Sequence, residues 1–324
     1  MATAPGKSHR KGLTVKELMQ MFPTEDHARR WFEKNMWPNG PRCPHCGSTE
    51  HRENPASESR PYRCKACGRH YSVRVGTILE RSKVSLQDWA IAIYMHLTSL
   101  KGVSSMKLHR DIGVTQKTAW FMLQRIRKAF DNDDEPPFGG PAEADETWVG
   151  GLRKNMSKDK RKGLTGRGTA GKEAVVGVKD RATGRIAARH VPQTDTPHVG
   201  GFVAERVRLG AKLYTDEARA YLPLAAWYDH ESVNHSVGEY VWAMAHTNGI
   251  ESCWAMLKRA LKGVYHKISP KHLARYVAEF AGRHNMREAE TLAQMAVLAS
   301  GMAGKRLTYA ALIADNGLAS GARC

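Results

Sequence analysis

Three acidic residues in the C-terminal half of the chain have the surroundings of metal ligands. Asp145 lies within the strand-like run AEADETWV, Asp216 ends the run AKLYTD, and Glu251 lies in the helix-like segment TNGIESCWAMLKRALKG. A lone acid in an apolar strand is costly unless it has a role, and the end of a strand is a usual ligand position in α/β folds. Carboxylates that hold two divalent cations can promote phosphodiester cleavage. The three residues therefore predict a site for two Mg²⁺ or Mn²⁺ ions.

Neighbouring side chains compete for the role of Asp145. Glu143 and Glu146 flank it, and Glu143 is the main alternative because alternate residues of a strand point to the same face. Several histidines precede the helical acid, and each could assist substrate positioning or proton movement or have an ordinary structural role. They are His230, His235 and His246.

The helix that carries Glu251 offers further candidates on the same side. Asn248 lies one turn earlier and is the alternative to Glu251 as the third oxygen ligand. Lys258 follows Glu251 by two turns, which is roughly 10 Å along a helix axis. A cation would therefore lie beside the metal site, where it could contact a phosphate group.

Four of the cysteines form two Cys-x-x-Cys pairs. Cys43-Pro-His-Cys46 and Cys64-Lys-Ala-Cys67 each precede a glycine, and two such pairs can complete one tetrahedral zinc site. Disulfides or free buried thiols are the alternatives, but the chain is longer and poorer in cysteine than secreted disulfide proteins. We predict one structural Zn²⁺ held by Cys43, Cys46, Cys64 and Cys67.

The charge of the chain points to a polyanionic partner. It has 50 Lys and Arg residues against 32 Asp and Glu residues, for a formal net charge of +18 and a pI near 9.8. Basic side chains displace counterions that are condensed on nucleic-acid phosphates. The N-terminus lacks the apolar stretch of a secretory signal, and no apolar run is long enough to span a membrane.

Residues 103–130 have the layout of a helix-turn-helix. Gly113 lies at the turn, Thr115 can cap the second helix, and Met106, Leu108 and Ile112 are expected on the inner face of the first helix. The N-terminal end of the second helix would reach base edges. An ordinary helical hairpin is the alternative. The predicted base-contacting residues are Gln116, Lys117 and Thr118.

A second group of basic residues surrounds the acids. Residues 151–172 carry eight Lys and Arg residues and one Asp, and we expect this insertion to clamp DNA, with a solvated loop as the alternative. The helix of Glu251 adds two further basic side chains. The predicted DNA-binding residues of this group are Arg153, Lys154, Lys160, Arg161, Lys162, Lys258 and Arg259.

The order of the elements predicts an α/β catalytic domain after two smaller modules. Strand-like runs come first and then alternate with helices, as in layered α/β domains, and EARAYLPLAAWY is expected to be one of those helices. The predicted segments are a disordered basic arm at 1–12, N-terminal helices at 13–40, a zinc ribbon at 41–80, a helix-turn-helix domain at 81–130, a linker at 131–140, the α/β domain at 141–287, and a C-terminal helix and tail at 288–324.

Taken in order, the sequence blocks resemble those of a known family. CPHCG and CKACG precede the helical region, then follow EADETWVGG, LYTDEARAY and HTNGIESCWAMLKRALKGVYHKISPKHLARYVAEF. The order is similar to that of prokaryotic insertion-sequence transposases that join an N-terminal zinc ribbon to an RNase H-like DDE domain. The resemblance implies an RNase H-like mixed sheet flanked by helices, two catalytic divalent metals, and double-stranded DNA with terminal inverted repeats as the substrate.

The resemblance also assigns residues and an activity. The first and second family aspartates fall on Asp145 and Asp216, the third acid on Glu251, and the accompanying basic residue on Lys258. Some relatives use asparagine as the third member, so Asn248 remains an alternative. The implied activity is cleavage at the element's ends and transfer of the 3′ ends into target DNA by a homodimer or larger homo-oligomer, in the cytoplasm at the nucleoid. A nuclease or resolvase without strand transfer and a non-catalytic DNA-binding regulator are the other hypotheses.

Overall fold

The computed structural model describes residues 11–55, 57, 59–131, 135–151, 153–165, 168–233 and 246–320, without the side chains of residues 160 and 233. The chain divides into two units, residues 1–132 with 286–314 and residues 133–285 with 315–324. Most of the predicted arm at 1–12, together with His235, lies outside the described residues.

The first unit begins with two capped helices, α1 (Val15–Met21) and α2 (Glu25–Met36). The Thr14 hydroxyl accepts the backbone N–H of Glu17, and the Glu17 carboxylate accepts the backbone N–H of Thr14, so the two residues form a capping box at the start of α1. Strands β1 (His51–Glu53), β2 (Tyr62–Cys64) and β3 (His70–Tyr71) then form an antiparallel sheet in the order β1-β2-β3.

Helices α3 (Leu86–Thr98), α4 (Ser105–Ile112) and α5 (Gln116–Ala129) complete the N-terminal part of this unit. Gly113 ends α4 in the left-handed conformation, with φ at 71°, which a side chain rarely tolerates. Leu108 is fully buried, whereas Met106 is 47% exposed, so the prediction that Met106 faces inward is wrong. Met106 is two residues before Leu108, and side chains at that spacing point to nearly opposite sides of an α-helix.

The C-terminal segment returns to the first unit. Helix α10 (Thr291–Ser300) packs against α2, α3 and α5, and α11 (Tyr309–Ile313) follows it. Met295, Leu298 and Met302 are buried in the same apolar core as the helices of the N-terminal part. The segment therefore completes the core of this unit.

The second unit is built on a mixed five-stranded sheet. Its strands lie in the order β6-β5-β4-β7-β8. Strand β5 pairs antiparallel with both β6 and β4, and strand β7 pairs parallel with both β4 and β8. This arrangement, with helices on both faces, confirms the predicted RNase H-like fold class. The strands are β4 (Ala142–Val149), β5 (Glu173–Asp180), β6 (Ile186–Val191), β7 (Lys212–Asp216) and β8 (Asp229–Val233).

Each face of this sheet has its own apolar layer. Ala142, Ala144 and Val176 face a cluster that includes α7 (Gly201–Arg206). The opposite face packs against α8 (Asn248–Ala260) and α9 (Pro270–Asn285). Glu143 and Asp145 therefore point toward α8. The short helix α6 (Lys158–Lys162) lies in the basic insertion.

The predicted helix over residues 217–228 is wrong. Only Leu222–Ala226 forms a short 3₁₀ turn. Pro223 disfavours a helical conformation at the residue before it and lacks a backbone N–H, so a helix from residue 217 cannot continue through it. Across the described ranges, from residue 11 to residue 320 with their gaps, none of the helices has the length and apolar character needed to cross a membrane.

Candidate active site

Asp145 and Asp216 meet on neighbouring parallel strands. Ala142 of β4 pairs with Leu213 of β7, and each aspartate lies three residues beyond that pair. The carboxylates of Asp145, Glu146 and Asp216 offer oxygen atoms that all lie within 4.8 Å of one another. Residues remote in the sequence thus form one acid cluster at the centre of the sheet.

Glu146, which flanks Asp145 and was the lesser of its two sequence alternatives, also belongs to this cluster. Its backbone N–H donates to Asp145 Oδ1 at 2.8 Å, and its own Oε2 accepts the hydroxyl of Tyr221 at 2.7 Å. Strand alternation places residues 145 and 146 on opposite faces, so no pattern in the sequence indicated that their carboxylates converge. Adjacency to Asp145 was the only available signal.

The cluster is electrostatically strained without a cation. Burial raises the pKa of Asp145 to about 7, and the charges of Glu146, Asp216 and Glu251 act in the same direction. Burial also raises the pKa of Glu146, and burial together with Glu146 raises the pKa of Tyr221 well above its usual value. Like charges held this close favour protonation or a bound cation.

The donor set fits Mg²⁺ or Mn²⁺. Both ions prefer carboxylate oxygens, and Mg²⁺ binds them at about 2.1 Å, so oxygens around one ion lie up to roughly 4.2 Å apart. The oxygens of Asp145, Glu146 and Asp216 lie within 4.8 Å, close to that limit. Small side-chain movements would place them around one ion or a pair of ions.

Glu251 lies beside this cluster but is not part of it. It is exposed in the first turn of α8, and its Oε1 accepts the Thr247 hydroxyl at 2.9 Å. Its charge is the smallest of the contributions that raise the pKa of Asp145. Among the described residues, the acidic group within 4.8 Å does not include Glu251. Asn248 is the exposed first residue of α8.

Glu143, the main alternative to Asp145, is engaged elsewhere. Its side chain is buried, with Oε1 2.7 Å from Arg181 Nε and Oε2 2.8 Å from the backbone N–H of Ile250. The carboxylate therefore accepts a donor at the start of α8 and holds that helix against β4. It shares a strand face with Asp145, as expected, but contacts the helix and not the acid cluster.

The histidines before α8 contact neighbouring protein groups. His230 Nε2 lies 2.8 Å from the Thr215 hydroxyl, and burial lowers the pKa of this imidazole. His246 Nδ1 lies 3.1 Å from Arg181 and 3.6 Å from Glu143. These contacts are consistent with structural roles for both residues.

The predicted zinc ligands converge in the first unit. The Sγ atoms of Cys43 and Cys67 lie 3.7 Å apart, those of Cys46 and Cys64 lie 3.6 Å apart, and all four fall within 4.8 Å of one another. A tetrahedral zinc with bonds of about 2.3 Å separates its sulfurs by roughly 3.8 Å, so the four thiols fit the metal. The backbone N–H of Cys67 lowers the pKa of the Cys64 thiol, and zinc binds cysteine as the thiolate.

The start of α5, where base contacts are predicted, is already engaged by the protein. Gln116 Nε2 donates to the Ser105 hydroxyl at 2.9 Å, and the Thr118 hydroxyl lies 2.9 Å from that of the N-cap Thr115. The Lys117 ammonium lies 4.6 Å from the centre of the Tyr309 ring in α11. Gln116 and Lys117 nevertheless have solvent-exposed side chains.

The basic residues of the second unit form two exposed groups. In the insertion, Lys154, Arg161 and Lys162 are exposed, and Arg153 donates to the carbonyl of Leu164 at 2.8 Å. On α8, Lys258 and Arg259 are exposed at its C-terminal end. The side chain of Lys160 lies outside the described part of the chain.

Comparisons with known proteins match both units. A family model described as an ISXO2-like transposase domain matches residues 137–285, and a model described as a transposase zinc-ribbon domain matches residues 23–70. A Halobacterium salinarum protein described as "Uncharacterized protein in transposable element ISH50" is 30% identical over 278 residues. That alignment covers 83% of this chain and 93% of the relative. The first match contains the acid cluster and the second contains all four zinc-site cysteines.

Proposed function

The chain belongs to the insertion-sequence transposases that join a zinc ribbon to an ISXO2-like DDE domain, and from this premise we propose that it cleaves and joins DNA with divalent metal ions. The observation that carries the proposal is the convergence of Asp145, Glu146 and Asp216 on the central strands of the sheet. The partly buried, mutually repelling carboxylates of this cluster have the properties of a site that a divalent cation would stabilise.

Asp145 and Asp216 would hold the ions, with Glu251 as the third ligand and Asn248 as its alternative. Glu146, through its place in the cluster, is a further candidate ligand. When bound, the ions would activate the attacking oxygen and stabilise the leaving oxygen of an in-line phosphoryl transfer. Lys258, exposed on the same helix as Glu251, would contact a phosphate beside the reacting bond.

The substrate is proposed to be the terminal inverted repeats of an insertion sequence. The start of α5, with Gln116, Lys117 and Thr118, would reach base edges in the major groove. The exposed basic side chains would neutralise phosphates, and the Cys₄ zinc site would hold the ribbon in shape. Two transposon ends must be cut and joined together, so the active complex would contain at least two protomers. Its place of action would be the nucleoid in the prokaryotic cytoplasm. The proposed phosphate-contacting residues are Arg153, Lys154, Lys160, Arg161, Lys162, Lys258 and Arg259.

A strand-transfer assay tests this function. Purified protein is incubated with a labelled terminal-repeat oligonucleotide, a plasmid target and Mg²⁺, and cleaved and joined products are separated on gels. We expect both products from the wild-type protein and neither from the Asp145→Ala and Asp216→Ala variants. Glu217→Ala is the matched control, because Glu217 is an exposed acid next to Asp216. Cleavage without joining would indicate a nuclease, and DNA binding without Mg²⁺-dependent cleavage would indicate a regulator.

The same assay separates the candidates for the third ligand. Glu251→Ala, Asn248→Ala and Glu146→Ala are compared at a series of Mn²⁺ concentrations. Loss of a metal ligand should lower the maximal rate or raise the Mn²⁺ concentration at which the rate is half-maximal. If Glu251→Ala retains wild-type activity at low Mn²⁺ while one of the other two variants does not, the assignment of Glu251 is wrong.

A further inference from the structure

Trp254 connects α8 to the acid cluster. It is 3% exposed, and its indole N–H donates to Asp145 Oδ2 at 3.0 Å. The other oxygen, Oδ1, accepts the backbone N–H of Glu146 at 2.8 Å. Both oxygens of the Asp145 carboxylate are therefore fixed by the protein. A carboxylate oxygen can accept more than one contact, so each oxygen keeps capacity for a cation.

Gly177 provides the space that this contact needs. It lies on β5 directly opposite Asp145 in the antiparallel pairing. A Cβ atom at residue 177 would lie 2.4 Å from Cη2 and 2.5 Å from Cζ2 of the Trp254 indole. These ring atoms are packed between α8 and the sheet, so a Cβ would push the indole away from Asp145. The φ of Gly177 lies outside the left-handed region, so its backbone conformation does not require glycine. Glycine is needed here because a side chain would occupy the space of the indole ring.

We propose that Trp254 is a positioning residue for the metal site and that Gly177 is required for its placement. The proposal rests on the metal-dependent function proposed above. The indole N–H orients the Asp145 carboxylate before a cation arrives, so less side-chain freedom is lost on binding. Glu251 lies one turn before Trp254 on α8, and the same contact therefore fixes the helix that carries the predicted third ligand relative to β4.

Trp254→Phe separates positioning from packing. Phenylalanine keeps an aromatic ring in the apolar layer but has no N–H group to donate. Loss of a group that orients a metal ligand costs about tenfold to a hundredfold in metal affinity. We expect Mn²⁺ binding, measured by calorimetry on the full chain without DNA, to weaken about tenfold. Trp227→Phe is the matched control, because Trp227 is 56% exposed and its replacement should leave Mn²⁺ binding unchanged.

Gly177→Ala supplies an independent test. In the wild-type background it displaces the indole and should weaken Mn²⁺ binding about as much as W254F does. The ring atoms that a Cβ would meet belong to the six-membered ring of the indole. The shorter side chain of phenylalanine does not reach as far as those atoms. In the W254F background, Gly177→Ala should therefore have little further effect. If Gly177→Ala weakens Mn²⁺ binding by the same factor in the wild-type protein and in W254F, the role assigned to Gly177 is wrong.

A spectroscopic signal reports the contact directly. The protein is labelled with 5-fluorotryptophan at its eight tryptophans, and W254F identifies the fluorine resonance of Trp254. We expect this resonance to shift when Mg²⁺ is added and to be unmoved in the Asp145→Asn variant. Wild-type Mn²⁺ affinity in W254F would overturn the positioning role while leaving the proposed function intact. If the wild-type protein itself binds no Mn²⁺, both proposals are wrong.

Discussion

Replacing Asp145 by asparagine should stabilise the metal-free protein at alkaline pH. Burial and neighbouring acids raise the pKa of Asp145 from 3.8 to about 7 in the folded state. In the unfolded chain this group ionises near its ordinary pKa, so the folded state binds more protons between these two values. The free energy of unfolding is therefore unaffected by this group below about pH 4. It falls as the pH rises from there, and the full loss is reached once the pH has passed the folded-state pKa of about 7. The asparagine amide, in contrast, carries no charge at any of these pH values. Its NH₂ group would meet one of the two N–H donors that contact Asp145, which offsets part of the gain at every pH.

The size of the effect follows from the pKa shift. A shift from 3.8 to about 7 corresponds to roughly 4 kcal/mol at about 1.4 kcal/mol for each pH unit. For a unit of about 150 residues, 1 kcal/mol changes Tm by about 2–4 °C. Allowing for relaxation around the charge, we expect D145N to raise the Tm of the second unit by about 5–10 °C at pH 8 in a chelator, and by less than half as much at pH 5.

Calorimetric melting with and without Mn²⁺ provides the assay. Mn²⁺ should raise the Tm of the wild-type protein at pH 8 and leave D145N unchanged, because the cation offsets a repulsion that the variant lacks. Glu217→Gln removes the same charge from an exposed position and should change neither Tm nor its response to Mn²⁺. A D145N protein that melts below the wild-type protein at pH 8 in chelator would refute this account of the acid cluster.

Three other predictions concern structure away from the acid cluster. Cys43→Ala should lose the zinc ion, which elemental analysis would measure, and its ribbon should unfold, which near-UV circular dichroism would detect. Zinc retained by this variant would contradict the Cys₄ site. Glu143→Ala leaves the mostly buried Arg181 without its carboxylate and should lower the free energy of unfolding by about 3–5 kcal/mol in urea titrations, whereas a change below about 1 kcal/mol would disprove its anchoring role. Met295→Ala should cost about 2–5 kcal/mol in the first unit, since Met295 is fully buried in its core; a negligible cost would show that α10 is dispensable there.

Several features of the protein follow from its sequence alone. The zinc ribbon could be predicted because its ligands are set by short local spacings, Cys43 to Cys46 and Cys64 to Cys67. The order of strands and helices likewise predicted an α/β domain. The resemblance of the blocks around Asp145 and Asp216 to known transposases implied its RNase H-like class, which the structure and family match confirm. These patterns are short and local, so they can be interpreted without knowing how distant segments of the chain pack together.

Other features depend on contacts between segments far apart in the chain. The pairing of Glu143 with Arg181, 38 residues away, removed that acid from competition with Asp145. Packing also brought Glu146 to Asp216 and placed α10 in the first unit, although neither has a pattern in the sequence that predicts it. Trp254 reaches Asp145 across 109 residues only because a glycine faces that aspartate on the neighbouring strand. Side-chain direction and space are set by the packed sheet and helices, and a linear sequence does not state them.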